Sequence, residues 1–266
     1  MFRHVAGQGF VLETPLRLSG GRSNHVWRAG RFILKLFASS ARNPLFANSA
    51  ASEQSVLETL SGTGLVPDLC AAGQFEGQNW LLYRHIEGTP WRENTAQVAA
   101  LLGKLHQLNP PSGLPLGANG SADLAAQTLD ILRACDPVED TLLHAPEGVV
   151  TPTDHMCLIH GDPVPGNIVV RQGGLVLIDW QCPKVGDPAE DLALFLSPAM
   201  QTIYGRDPLS DNEVQTFLTA YPDPEVVARL MDLRPWFHWR MASYCLWRGD
   251  RAAANLELAA LGLCRS

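Results

Sequence analysis

Asp162, Asn167 and Asp179 carry the polar chemistry of one short stretch, His160-Gly161-Asp162-Pro163-Val164-Pro165-Gly166-Asn167 followed by a hairpin and Ile178-Asp179-Trp180. Pro163, Pro165 and Gly166 forbid regular structure, so Asp162 belongs to a loop. Residues 168–171 and 175–178 read as two short apolar strands, with Gln172-Gly173-Gly174 as a three-residue hairpin loop. In that register Arg171 faces Leu175, Ile168 faces Ile178 and Asn167 faces Asp179, with opposed Cβ atoms about 5 Å apart. An amide oxygen beside a carboxylate is a poor metal cage by itself. It suits Mg²⁺, which keeps waters and takes further ligands from substrate phosphates.

A second group of residues lies near the N-terminus. With Ala29-Gly30 as a two-residue turn, Arg28 faces Arg31, Trp27 faces Phe32 and Asn24 faces Lys35. Lys35 is a lone charge between Leu34 and Leu36, close to the loop Gly20-Gly21-Arg22-Ser23. Free backbone N–H groups with an ammonium beside them make a phosphate cradle. Glu53, on the helix that follows, is the natural counter-ion for Lys35.

The elements that must position these groups fall into two parts. Short strands at 16–19, 25–28, 31–37, 69–74 and 80–84 surround one helix at 52–60, which gives a small antiparallel sheet with a helix. Glu87-Gly88-Thr89-Pro90 is rich in breakers and reads as a linker. Beyond it Val98, Leu101, Leu102, Leu105 and Leu108 follow helical spacing, a second helix is expected at 122–134, and three or four more from Asp191 onward. The expected fold class is α+β, with a β-rich lobe at 1–86 and a larger helical lobe at 87–266.

These residues, in this order, resemble the aminoglycoside phosphotransferase and choline kinase superfamily, distant relatives of protein kinases. The family pattern HGDxxxxN, a strand and I-D-W is matched by His160-Gly161-Asp162 to Asn167 and by Ile178-Asp179-Trp180. Gly186-Asp187-Pro188-Ala189-Glu190-Asp191-Leu192-Ala193 and Leu18-Ser19-Gly20-Gly21 to Asn24 also resemble it, and the likeness runs from about Leu16 to about Arg251. The resemblance implies a protein-kinase-like fold and a kinase using ATP and Mg²⁺. It implies Asp162 as catalytic base, Asn167 and Asp179 as Mg²⁺ ligands, and Lys35 on the α and β phosphates with Glu53 paired to it. Gly20, Gly21 and Ser23 belong to the nucleotide loop. Tyr83-Arg84-His85-Ile86 looks like the hinge, so the backbone of Arg84 and Ile86 is expected to meet adenine. Trp180 stands where protein kinases carry the Phe of D-F-G, and no long segment ends in A-P-E, which argues against a protein substrate.

The bulk composition agrees with a small-molecule enzyme. The formal net charge of −7 disfavours nucleic acid, which needs a basic face. No stretch reaches the roughly 18 apolar residues that span a bilayer. Met1 to Leu18 has no long apolar core, and the six cysteines are scattered without a CxxC pair, so a reducing cytoplasm is expected. His155, Cys157, His160 and Cys182 lack the spacing of structural zinc ligands. His160 is expected to orient its loop by a hydrogen bond, and Asp187 and Asp191 to act as helix N-terminal and scaffold residues, with Asp191 opening its helix.

The acceptor is less defined. A helix at 234–248 carries Trp236, Arg240, Tyr244 and Trp247 at three- and four-residue steps, hence on one face. Core packing is the usual role of such a row. An arginine within it argues for a face reaching water or a carboxylate, and a half-exposed aromatic wall would seat an ammonium. The expected substrate is therefore a small cationic alcohol (choline-, ethanolamine-, thiamine- or aminoglycoside-like), bound by a monomer or weak dimer. The alternative is a catalytically weak nucleotide-binding module of the same fold.

Overall fold

The chain is described by a computed structural model for residues 1–18, 23–38, 43–135 and 142–262. A short helix α1 (Phe2–Ala6) precedes strands β1 (Leu16–Arg17), β2 (Asn24–Ala29), β3 (Phe32–Phe37), β4 (Leu69–Phe75) and β5 (Gln78–Arg84). The strands form one antiparallel sheet in the order β1-β2-β3-β5-β4, with α2 (Ala50–Thr59) on one face. β3 is buried along its whole length because both of its faces are covered. Phe32, Leu34 and Leu36 pack with Val5 of α1, Trp80 and Leu82. Ile33 and Phe37 turn the other way, toward Val56 and Leu57 of α2 and the main core. The twofold alternation of a strand therefore puts Lys35 on the α2 side.

The first hairpin turns at Gly30-Arg31, not at Ala29-Gly30: Ala29 pairs with Phe32, and Lys35 lies opposite Val26 instead of Asn24. Gly30 takes φ +63, a left-handed conformation that suits glycine at the first turn position. A slip of two residues leaves every side chain on its expected face, so Lys35 still points where the sequence put it.

The breaker-rich segment after β5 is not a free linker. Its β6 (Thr89–Pro90) joins β8 (Ile168–Arg171) and β9 (Gly174–Leu177) in a three-stranded sheet. Gly88 passes so close to this hairpin that a Cβ there would lie 2.2 Å from the Val170 carbonyl oxygen. The second hairpin also differs from expectation. Arg171 pairs with Gly174 and Ile168 with Leu177, so the turn is the two residues Gln172-Gly173. Asn167 then meets Ile178 through the bond from the Ile178 amide to its carbonyl, 2.9 Å, and does not face Asp179.

The helical part is built from α3 (Thr95–Leu105), α4 (Ser121–Leu132), α5 (Pro188–Leu196), α6 (Pro198–Ile203), α7 (Asp211–Ala220), α8 (Pro224–Trp247) and α9 (Arg251–Ala260). A two-stranded ladder, β7 (Cys157–Ile159) with β10 (Lys184–Gly186), runs beneath it. α3 buries Val98, Ala99, Leu101, Leu102 and Leu105, the predicted stripe, each large side chain contributing on the order of 2 kcal/mol. Among the described residues five helices stand where three or four were expected, because Ser197-Pro198 and Pro224 each restart the chain behind an Asp or Ser cap. α8 continues through Pro235 and begins ten residues before Arg234, where the expected helix starts. A proline inside a helix costs roughly 3 kcal/mol, and burial of Trp236, Phe237 and Trp239 just beyond it offsets that cost. One apolar core links the sheet to the helices, from Ile33, Leu81 and Tyr83 through Leu102 and Leu158 to Phe195.

Candidate active site

β7 delivers the chain into the 160–167 loop, which is held from three sides. Gly161, at φ +77, passes so near Cys182 that a Cβ would lie 2.2 Å from the Cys182 carbonyl oxygen. Asp191, fully buried on α5, accepts from the backbone amides of His160 and Gly161, both at 2.8 Å. It sits one turn inside α5, whose N-cap is Asp187, so it does not open the helix as expected. His106, just past α3, donates Nε2–H to Asp191 at 3.1 Å while its Nδ1 contacts the Tyr221 hydroxyl at 2.7 Å. His106 drew no notice in the sequence because only the fold brings it to Asp191.

His160 joins the loop to the second hairpin. Its Nε2 contacts the Ile178 carbonyl at 3.1 Å and its Nδ1 accepts from the Asp162 amide at 3.2 Å. These partners require the neutral ring with the proton on Nε2, and burial lowers its pKa in the same direction. Asn167, in the 3₁₀ turn Pro165–Asn167, donates its amide to the Asp162 carbonyl at 2.9 Å and to Asp162 Oδ2 at 3.1 Å. Asp162 and Asn167 are thereby fixed relative to each other.

Asp179 reaches the same space despite the changed hairpin register. A one-residue slip would turn it to the opposite face, but its backbone adopts φ +64, which breaks the alternation. Such a conformation is uncommon outside glycine and is tolerated best by Asp and Asn. Its carboxylate bonds Lys35 Nζ, and Lys35 also donates to Glu53 Oε2 at 2.6 Å. The side chains of Lys35 and Glu53 are 2% and 1% exposed, whereas Asp179 is 32% exposed. Burial works against the Lys35 ammonium, but Asp179 and then Glu53 outweigh it and raise its pKa, so it stays charged. Burial pushes the Glu53 carboxyl up to about 7, with Lys35 opposing and Asp179 adding to the rise. One cation shared by two carboxylates leaves this buried group a net charge of −1 when all three are ionised.

A polar clamp completes this region. Asn24 donates to Asn48 Oδ1 and Gln181 Oε1, both at 2.7 Å, and accepts from the Ala38 amide at 3.1 Å. It thus ties β2 to the segment ahead of α2 and to the chain just past Asp179. The sequence reading gave Asn24 a pairing with Lys35 and the end of the Leu18 to Asn24 motif, and gave Gln181 no role.

Asp162, Asn167, Asp179 and Lys35 all line one cleft of about 880 Å³, together with Ser23, Val26, Tyr83 and Pro90. Phe46, Tyr204, Tyr244, Arg248 and Asp250 also line it, with Tyr204 packed against Gly166 of the loop. Gly20 and Gly21 lie outside the described residues. Arg84 and Ile86 are not in the cleft wall, and the Arg84 amide is taken by the Asp68 carbonyl at 2.9 Å. The row on α8 is not the single wall expected. Trp236 and Arg240 are buried, 7% and 1% exposed, because Trp236 packs edge-on against Trp239 and Arg240 is paired with Glu190. Of the four, Tyr244 lines the cleft, bonded by Asn43 at 3.0 Å and stacked on Trp247 behind it.

The chemistry available here is an excess of buried negative charge at the cleft surface, a fixed ammonium and a carboxylate–amide pair on a rigid loop. The ammonium can meet an anion, while the surplus carboxylate, exposed at Asp179, favours a cation beside it. The fold is shared with proteins of known structure. A choline/ethanolamine kinase family protein from Mesorhizobium loti superposes with a TM-score of 0.66 at 17% identity, covering 94% of this chain and 87% of its own. A choline kinase from Streptococcus pneumoniae gives 0.64 at 17% identity, covering 97% and 98%. The GDP complex of wild-type aminoglycoside 2′-phosphotransferase-IIIa gives 0.64 at 15% identity, covering 97% and 94%. In sequence, a Thermus thermophilus protein named "Probable ketoamine kinase" is 28% identical over 249 residues, 84% of this chain and 85% of that one. The model of the phosphotransferase enzyme family matches residues 14–230, and the chain belongs to that family.

Proposed function

We propose that the protein transfers the γ-phosphoryl group of ATP to a hydroxyl of a small cationic molecule. The observation that carries this reading is the convergence of Asp162, Asn167 and the Lys35–Glu53–Asp179 group on one cleft. Asp162 accepts the proton of the attacking hydroxyl. Lys35 turns from Asp179 toward the α and β phosphates while Glu53 keeps hold of it. Asp179 and Asn167 would hold Mg²⁺: the donor set fits, since Asp179 is the exposed member of a group with net charge −1 and the Asn167 amide N–H₂ is already used on Asp162, leaving its oxygen as the ligand atom. When bound, Mg²⁺ neutralises charge on the phosphates.

The rings in the cleft wall support a cationic acceptor. Tyr204, Tyr244 and Phe46 present rings, and Asp250, which also caps α9, a carboxylate beside the Arg248 guanidinium; each ring over an ammonium contributes roughly 0.5–2 kcal/mol. Trp236 and Arg240 drop out of this role, and Trp247 acts from behind Tyr244. The likeness to a named ketoamine kinase adds amine-bearing sugar derivatives to the acceptors worth testing.

The test is an ATP-consumption screen with choline, ethanolamine, thiamine, aminoglycosides and ketoamines, run beside Asp162→Asn. The expected result is one acceptor class with turnover that falls at least about a hundredfold in the variant while nucleotide binding persists. Turnover in Asp162→Asn within a few-fold of wild type removes the base. Mg·ATP binding without any turnover leaves a nucleotide-binding module instead.

A further inference from the structure

We propose that Tyr221 and His106 are positioning residues for phosphoryl transfer: a buried chain from Tyr221 through His106 to Asp191 holds the 160–167 loop from behind. None of the three lines the cleft, so they act on the reaction only through that loop. The inference rests on the reading of Asp162 as the base.

The local sequence explains how the chain is assembled. A proline drives the residue before it to extended backbone, so Pro222 ends α7 at Ala220 and leaves Tyr221 at φ −71, ψ 131. The Pro222 ring then lies directly on α3, where a Cβ on Gly103 would stand 2.4 Å from its Cγ. Gly103 is one turn before His106, which caps the C-terminus of α3. A larger residue at 103 would push Pro222 away, and Tyr221 with it. Instead the Tyr221 hydroxyl reaches His106 Nδ1 at 2.7 Å, with both residues buried. The two rings are tilted at 55° with centroids 5.9 Å apart, so the hydrogen bond and not stacking is the contact.

The direction of the chain follows from its far end. Asp191 Oδ2 accepts from the His160 amide and Oδ1 from the Gly161 amide, both at 2.8 Å. A carboxylate only accepts, so the His106 Nε2 that lies 3.1 Å from Oδ2 carries the proton. Nδ1 of the neutral ring is then an acceptor, and the Tyr221 O–H is its donor. Tyr221 thereby fixes the tautomer that lets His106 bond Asp191. With the hydroxyl gone the proton is free to move to Nδ1, which turns a lone pair on Asp191. Among the described residues no Lys or Arg pairs with this fully buried carboxylate, so it depends on each of its donors. The same carboxylate holds two successive amides, and Asp162 is the next residue along.

Turnover is read on the full chain with Mg·ATP as donor and water in place of the acceptor hydroxyl, and Mg·ATP affinity by calorimetry. His106→Leu should lower kcat on the order of 10²-fold, with the Mg·ATP dissociation constant kept within about threefold. His106→Gln, whose amide N–H can still meet Asp191, should recover most of that loss. Tyr221→Phe should lower kcat about two- to tenfold, and nitrogen-15 spectra should show the His106 proton shared between the ring nitrogens instead of held on Nε2. Hydrogen exchange at the His160 and Gly161 amides, which needs no turnover, should quicken in His106→Leu and Tyr221→Phe. His106→Gln and Tyr221→Phe carry the test alone if His106→Leu does not fold. Wild-type turnover or wild-type amide exchange in a folded His106→Leu or Tyr221→Phe protein, equal losses in the Leu and Gln variants, or an unaltered tautomer in Tyr221→Phe each overturns the proposal. The two readings fall separately: Asp162→Asn with wild-type turnover removes the base, whereas His106→Leu with wild-type turnover removes the chain.

Discussion

Two buried charge groups of opposite composition organise the molecule. In one, Lys35 is shared by Glu53 and Asp179; in the other, Glu190 is shared by Lys184 and Arg240. The first joins α2 and β3 to the segment after the second hairpin and turns its surplus carboxylate to the cleft. The second joins β10, α5 and α8 and keeps its surplus positive charge within the protein. Both incur the desolvation penalty of three charges, which a plain hydrophobic core would avoid. An odd number of buried charges leaves a remainder: a surplus carboxylate in the first group and a surplus cation in the second.

The largest expected effect separates stability from activity. Arg240→Met leaves Glu190 with Lys184 alone and should destabilise the fold by about 3–5 kcal/mol, read from urea denaturation. Wild-type stability in that variant would mean that the second group is ornamental. Asp179→Ala removes the surplus carboxylate of the first group and should lower turnover on the order of 10²–10³-fold, with loss of its Mg²⁺ dependence. An unaltered magnesium titration in a folded Asp179→Ala protein would break the assignment.

The pH dependence sharpens the comparison, because the shared and sharing carboxylates shift in opposite directions. Burial raises the Glu190 carboxyl, but Lys184 and Arg240 overcome it and lower its pKa from 4.5 to about 2. Its contribution is present above 4.5 and is lost as pH falls toward 2, an amount of about 3 kcal/mol by linkage. Glu53 is raised from 4.5 to about 7, so it favours the folded state at low pH and loses that contribution as pH rises through 7. Denaturation of the nucleotide-free protein across this range should therefore show two limbs of opposite slope. Glu190→Gln should flatten the limb below 4.5 and Glu53→Gln the one between 4.5 and 7. A single limb affected by both substitutions would show that the two groups do not titrate separately.

Much of the site was legible in the sequence because its residues are close in the chain or bracketed by breakers. Pro163, Pro165 and Gly166 force the loop, and Asn167 to Asp179 is one hairpin, so their company with Asp162 follows from local geometry. Lys35 kept its face through a two-residue slip in register, since strand periodicity is two. The same periodicity made the one-residue error at the second hairpin serious, and only the positive φ of Asp179 restored that carboxylate to the cleft. The Trp236, Arg240, Tyr244 and Trp247 row illustrates the limit of pattern reading. Helical spacing shows that the four share a face but not what covers it.

The sequence by itself determined the α+β order of elements, the loop at Asp162 and the residue types able to neutralise a phosphate, because those depend on propensity, breakers and short-range spacing. Only the tertiary structure decided which charges share a partner. Lys35 meets Asp179 across 144 residues, His106 meets Asp191 across 85 and Arg240 meets Glu190 across 50. Contacts at such separations are chosen by how helices and sheets pack over one apolar core, and nothing in the local sequence of either partner encodes them.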